Sequence, residues 1–241
     1  MTAALKVFFS AVGDLWFSLI GYMFCNLVTS VGVLIIPLLA ITFLAPLGID
    51  PFSLAVFALL LMCLTGAPLM LGLVHTTSDA LRYKERPEIS LLLQRTREDM
   101  WQAWKLAAVQ VTGSVIIFGS VIFYFFLGQT WSLPLAIIAA VAAWTWLGML
   151  IFMAPLILRA TQGVRLALRN SAVVVLHYPF FAGTLVILLA IVFVISCLIF
   201  PLWPLATLSL YSVVANRALQ WALIQEGIIP APTPPQDEWE R

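Results

Sequence analysis

The side chains able to do chemistry are few in this chain, and they are scattered. There are two histidines, His75 and His177. Imidazole can ligate a metal, haem or chlorin, or titrate near neutral pH. Neither histidine falls in a cluster of Cys, Asp and Glu partners. The expected role is an interfacial ring bonded to headgroups or backbone, and a subunit of a pigment or redox complex is the sharper alternative. The cysteines Cys25, Cys63 and Cys197 lie far apart, each in an apolar run. Without CxxC or Cys/His spacing, neither a zinc site nor a disulfide framework is expected. No HExxH motif, Gly-rich phosphate loop, paired catalytic carboxylates or local nucleophile–base signature occurs. No catalytic, metal or cofactor-binding residue is therefore expected, which argues against an enzyme.

Three polar groups invite a different reading. Asn26, Thr29 and Ser30 form a step in the first long apolar stretch. Such groups usually bond across helices or to their own backbone, at about 0.6 kcal/mol for an interhelical bond. The functional alternative is a polar cavity centred on Asn26, as in a small permease for a neutral solute. Asp14 and Asp79 fall near one expected interface and Asp50 near the other, so the apolar stretches lack the mid-depth ionisable group an ion-coupled carrier would hold. Arg82, Lys84, Arg86, Arg95 and Arg97 make a basic patch. Attraction to anionic lipid, about 1 kcal/mol per basic residue, accounts for such a patch. Docking of a membrane-protein partner such as a transporter is the alternative. The net charge of +1 supplies no field that would attract nucleic acid.

These side chains are embedded in a strongly apolar chain. Of 241 residues, 63% are hydrophobic and 10% charged, against about 25% charged in soluble domains. The mean hydropathy is +1.06. Too few polar residues are present to cover a soluble surface. The composition fits one all-α membrane domain, and no removable signal peptide is expected. Six stretches reach the roughly 20 apolar residues a bilayer span needs: about 19–44, 52–74, 106–127, 133–158, 180–200 and 202–224. Pro201 and Pro204 mark a tight turn between the last two. A single long kinked helix there is the alternative. With six spans and the N-terminus inside, all 12 Lys and Arg residues gather on the cytoplasmic side. The opposite loops carry only Asp50. Five spans would strand Arg217 from the other basic residues.

The inner segments are more than connectors. From Pro87 to Trp104, Ile89, Leu92, Leu93, Met100 and Trp104 recur at helical spacing, with Gln94, Arg95, Arg97, Glu98 and Asp99 on the other face. This predicts an in-plane amphipathic helix with Trp101 and Trp104 at headgroup level. Thr161–His177 is a second such segment, and Ala4–Leu15 a candidate third. Prolines 37, 68 and 155 fall within spans and should each remove a backbone bond and kink the helix. Ala67–Leu71 with Ala80–Arg82, and Ala154–Leu158 with Ala167–Arg169, suggest a duplicated unit, spans two and three matching four and five. The alignment pairs His75 with Gln162. The domain division is 1–18 as an N-terminal interfacial segment, 19–224 as the membrane domain, and 225–241 as a proline-rich tail expected to be disordered or extended.

The order of these pieces resembles the YesL-like family of bacterial multi-span membrane proteins, a domain of unknown function. The similarity runs from about Tyr22 to Leu223. It is carried by Asn26 in the early span, then Thr65–Glu85, Glu98–Ala108, Ala154–Arg159 and Leu168–Leu189. The resemblance implies a multi-span protein associated with carbohydrate ABC transporters, and no catalytic residues. The expectation is a non-enzymatic accessory or interaction protein of the cell membrane, both termini cytoplasmic.

Overall fold

The computed structural model describes residues 2–129, 131–159, 163–199 and 202–230. Phe200 and Pro201, where a turn is expected, Thr161 and Gln162, and the tail beyond residue 230 lie outside the described residues. Among those described, every regular element is helical.

Five helical stretches are long and apolar enough to cross a membrane: Leu19–Leu47, Pro51–Tyr83, Ile89–Phe126, Ser132–Arg159 and Pro179–Leu198. The first combines α2 (Leu19–Ser30), a π-helical turn at Val31–Ile35, α3 (Ile36–Leu44) and a final 3-10 turn. The other four are α4 (Pro51–Tyr83), α5 (Ile89–Phe126), α6 (Ser132–Arg159) and α8 (Pro179–Leu198). Their apolar windows have mean hydropathies of 2.0–2.8, yet only 11–39% of each window is buried within the protein. Side chains such as Phe43, Phe52, Phe126, Ile138 and Phe180 face outward. An apolar exterior of this extent suits hydrocarbon and not water.

The last predicted span is different in kind. A π-helical turn, Trp203–Thr207, leads into α9 (Leu208–Gln225). This helix carries Ser209, Ser212, Asn216 and Arg217, so its hydropathy is low, yet it is the central one. Val213, Val214, Ala215, Ala218 and Leu219 are fully buried, and they meet Phe152, Met153 and Ile157 of α6 in one continuous core.

The other expectations are met unevenly. Thr2–Phe17 is indeed helical (α1), with Ala4, Val7, Ala11 and Leu15 forming one buried stripe. It packs on α9, and Asp14 is bonded by Arg217 through two nitrogens at 2.7 and 2.9 Å. The second amphipathic segment is α7 (Val164–His177), which lays Ala167, Ser171 and Val175 inward and packs against α6.

The first amphipathic segment differs from the expected in-plane helix. Residues 89–104 are not a separate in-plane helix but the first half of α5, collinear with the span. Glu88 is the N-cap, and Pro87 lies before the helix, not at its first position. No Gly or Pro between Ile89 and Leu106 could break the helix. Its apolar stripe is split: Leu92 is fully buried, while Ile89, Leu93 and Met100 remain exposed. Contact with α4 runs through Leu92, the Trp104 ring N–H and Thr96, which sits so close to Gly72 that a Cβ there would fall 3.0 Å from the Thr96 backbone. At 1.5 Å per residue, α4 and α5 are about 50 and 57 Å long, against about 30 Å of hydrocarbon. They form a hairpin reaching well past the apolar band.

This continuity also separates the two halves of the suggested duplication. Where α5 runs unbroken, the second unit divides into α7 and α8 at Tyr178–Pro179. Pro179, at the first position of α8, cannot donate into a continuing ladder.

Candidate functional site

The polar step is buried, not open. Asn26 and Thr29 are wholly inaccessible and Ser30 nearly so. Asn26 Nδ2 donates to the Trp203 carbonyl at 2.8 Å, and its Oδ1 accepts from the Ser209 N–H at 2.7 Å. The regular acceptor of the Ser209 N–H would be the Leu205 carbonyl, but the π turn opens the ladder there. Ser209 Oγ adds a bond to the Tyr22 carbonyl. Thr29 Oγ1 bonds Cys25 O of its own helix. None of the three lines either cavity described below.

Two other ladder breaks are answered in the same way. The π turn at Val31–Ile35 sends the Ile36 N–H to Val31 O, which leaves the Gly32 carbonyl without its usual donor. Thr65 Oγ1 of α4 lies 2.7 Å from it and 2.8 Å from Leu61 O, sharing one proton between them. Pro68 has no N–H, so the Leu64 carbonyl also lacks its donor. Trp104 Nε1–H of α5 supplies one at 3.0 Å. Trp104 was expected at headgroup level; its polar atom is instead turned inward to repair α4. In hydrocarbon, where water cannot take these roles, such repairs are needed.

Apart from Asp50 with Ser53 at the start of α4 and Gln129 with Ser132 at the start of α6, a cluster of polar and charged residues gathers at the C-terminal ends of α4, α6 and α9. Inside the α4–α5 hairpin, Arg95 reaches Asp79 Oδ2 at 2.8 and 3.0 Å and Glu98 at 2.8 Å, while His75 Nδ1 bonds Asp99 Oδ2 at 2.5 Å. The predicted basic patch is thereby divided. Arg95 is consumed within the hairpin. Lys84 closes α4 in a left-handed conformation, φ 56°, with Arg86 in the loop beyond it and Arg97 exposed on α5. Arg82 turns toward α6 and shares a cavity of about 520 Å³ with Arg159, together with His75, Asp79, Asn216 and Gln220.

That cavity was not legible in sequence, since Arg159 and Asn216 lie about 75 and 130 residues from Arg82 and follow no local pattern. Nor was the long-range pairing of Asp79 with Arg95 or of Asp14 with Arg217. His177 stands 3.8 Å from Glu226, which also accepts the Tyr178 hydroxyl at 2.8 Å. That bond to a carboxylate holds the Tyr178 phenol above its ordinary pKa. Among the described residues, no three His, Cys, Asp or Glu side chains converge as a metal centre requires, and Cys25, Cys63 and Cys197 are free.

Comparison with protein families, curated proteins and solved structures yields no match for this chain.

Proposed function

We propose that this chain is a non-enzymatic accessory protein of the cell membrane whose basic end docks a membrane-protein partner. The observation that carries this reading is the α4–α5 hairpin. Its helices overrun the hydrocarbon by about 20 Å or more, and ion pairs of Asp79, Arg95 and Glu98 brace it. At its end Lys84, Arg86 and Arg97 are exposed. A rigid arm whose exposed cations Lys84, Arg86 and Arg97 are interleaved with exposed Glu85 and Glu88 suits capture of a neighbouring protein by matched charges. The resemblance to the YesL-like family supports a carbohydrate transporter as the partner class.

The orientation belongs to the same proposal. The π turn and α9 form a sixth crossing, about 36 Å from Leu202 to Gln225 at helical rise, with both termini cytoplasmic. The ion pair between Arg217 and Asp14 supports this, because it holds the last helix's cation beside the N-terminal helix at the basic end.

A photoreactive residue at Leu93, exposed on α5, tests docking in native membranes. A discrete adduct with a transport protein, lost in the Lys84→Glu/Arg86→Glu/Arg97→Glu chain, is expected. A protein that stays monomeric and forms no adduct refutes the docking role. Reporter fusions at the two termini test the crossings, and opposite locations would overturn six.

A further inference from the structure

The bundle contains two cavities stacked along the same three helices. One, about 250 Å³, is apolar and lined by Met62 and Val74 of α4, Ala107 and Gln110 of α5, Ala154 of α6 and Tyr211 of α9. The other is the polar cavity of about 520 Å³ that holds Arg82 and Arg159. Each helix passes from one lining to the other within a few residues: Val74 to His75, Ala154 to Leu158, Tyr211 to Asn216. At 1.5 Å per residue these steps are about 8 Å or less. All three helices run the same way, so the polar cavity caps the apolar one on the basic side. The apolar lining extends over Met62–Val74, about 18 Å of helix, comparable with the roughly 15 Å of hydrocarbon in one leaflet. Met62 is 37% exposed, which puts this cavity within reach of the surrounding acyl chains.

The charges in the polar cavity are unbalanced. Its carboxylate, Asp79, is already held by Arg95, and its imidazole, His75, by Asp99. Among the described residues neither Arg82 nor Arg159 has a carboxylate within ion-pair distance, unlike Arg95 and Arg217. Arg82 lies 5.5 Å over the Tyr83 ring, a contact that leaves its N–H donors available. Arg82 and Arg159 are exposed side chains lining one polar cavity, where two guanidiniums repel each other, an anion between them would relieve that repulsion, and their planar donor forks match phosphate oxygens. We propose that the stacked cavities hold one anionic phospholipid, its phosphate between Arg82 and Arg159 and one acyl chain in the apolar chamber. This goes beyond the docking reading and does not depend on it, because it uses a different face of Arg82's helix and none of Lys84, Arg86 or Arg97.

The test is native mass spectrometry of the full chain in mild detergent, titrated with phosphatidylglycerol, phosphatidylcholine or inorganic phosphate. One phosphatidylglycerol should bind in preference to phosphatidylcholine. Arg82→Gln/Arg159→Gln should weaken it about tenfold or more, from two lost charge contacts, while Lys84→Gln/Arg97→Gln should change it less than about twofold. Ala107→Phe keeps both arginines and fills the apolar chamber, so it too should weaken the lipid; it also decides the matter should the arginine pair fail to fold. Equal losses in the two charge variants would reduce the effect to general surface attraction and overturn the proposal. So would inorganic phosphate displacing the lipid while Ala107→Phe has no effect, since that marks a site for free phosphate.

Discussion

Replacing Asn26 with leucine separates the two readings of the polar step. Asn26 is fully buried and spends both ends of its amide on the backbone of the last helix, the Trp203 carbonyl and the Ser209 N–H. Leucine offers neither a donor nor an acceptor, and the π turn holds the two backbone groups apart. If each bond counted as an average interhelical bond in a bilayer, the loss would be about 1.2 kcal/mol. If both groups are left unpaired in the core, each costs about 1–3 kcal/mol. Leucine recovers part of this by removing a buried amide, so a net destabilisation of about 2–4 kcal/mol is expected. Thr29→Val is the matched control. Thr29 is equally buried but bonds only Cys25 O of its own helix, so its loss should stay below about 0.6 kcal/mol. Reversible unfolding in mixed micelles gives both values. Equal stabilities for Asn26→Leu and Thr29→Val would refute the claim that Asn26 clamps the last helix, and would reopen its role as a cavity lining.

The repair of Pro68 can be tested by a cycle. Trp104→Phe should cost about 0.6–1.5 kcal/mol in the native chain and distinctly less beside Pro68→Ala, which returns an N–H to the Leu64 carbonyl; additive effects would disprove the pairing. Gly72→Ala should destabilise by about 1–3 kcal/mol because its Cβ collides with Thr96 Oγ1 and crowds the Thr96 backbone at 3.0 Å. Gly119→Ala meets nothing within 4 Å, so thermal unfolding should find it neutral or stabilising. Asp50 caps α4, and hydrogen bonds from Ser53 hold its carboxyl below the ordinary aspartate range. Its folded pKa is depressed, so its contribution is complete above the ordinary value and is lost as pH falls through the folded one; Asp50→Asn should flatten that acid limb of the stability profile.

The membrane character was legible because hydropathy depends only on composition within a window. All six predicted stretches are helical, and five satisfy length and apolarity. The sixth fell short for a physical reason. α9 is central, so its Ser209, Ser212 and Asn216 point at other helices and lower its hydropathy without meeting lipid. The period of residues 89–104 was also correct, but period alone does not name what covers a stripe. Leu92 and Trp104 turn toward the bundle, with Thr96 against Gly72 of α4, while Ile89, Leu93 and Met100 stay exposed. Histidine, aspartate and arginine partners 16 to more than 200 residues apart carry no local signal at all.

Pro68, the two π turns and the polar residues that answer them belong to one scheme. A break in a helical ladder exposes a carbonyl or N–H that hydrocarbon cannot satisfy, and here three breaks are met by Thr65, Trp104 and Asn26 from neighbouring helices. Each repair fixes two helices in register, so a proline that weakens one helix strengthens the bundle's specificity. These groups are thereby committed to the backbone, whereas Ser30, Thr76 and Thr77 keep buried hydroxyls with no partner among the described residues. Among the described residues, the charges outside ion pairs include Arg82 and Arg159 in the cavity and Lys84, Arg86 and Arg97 on the arm, as well as Lys6, Glu85, Arg165 and Arg169. Among the described residues Arg82 and Arg159 have no carboxylate within ion-pair distance, unlike Arg95 and Arg217, so an anion would meet donors there that the bundle's own carboxylates do not occupy.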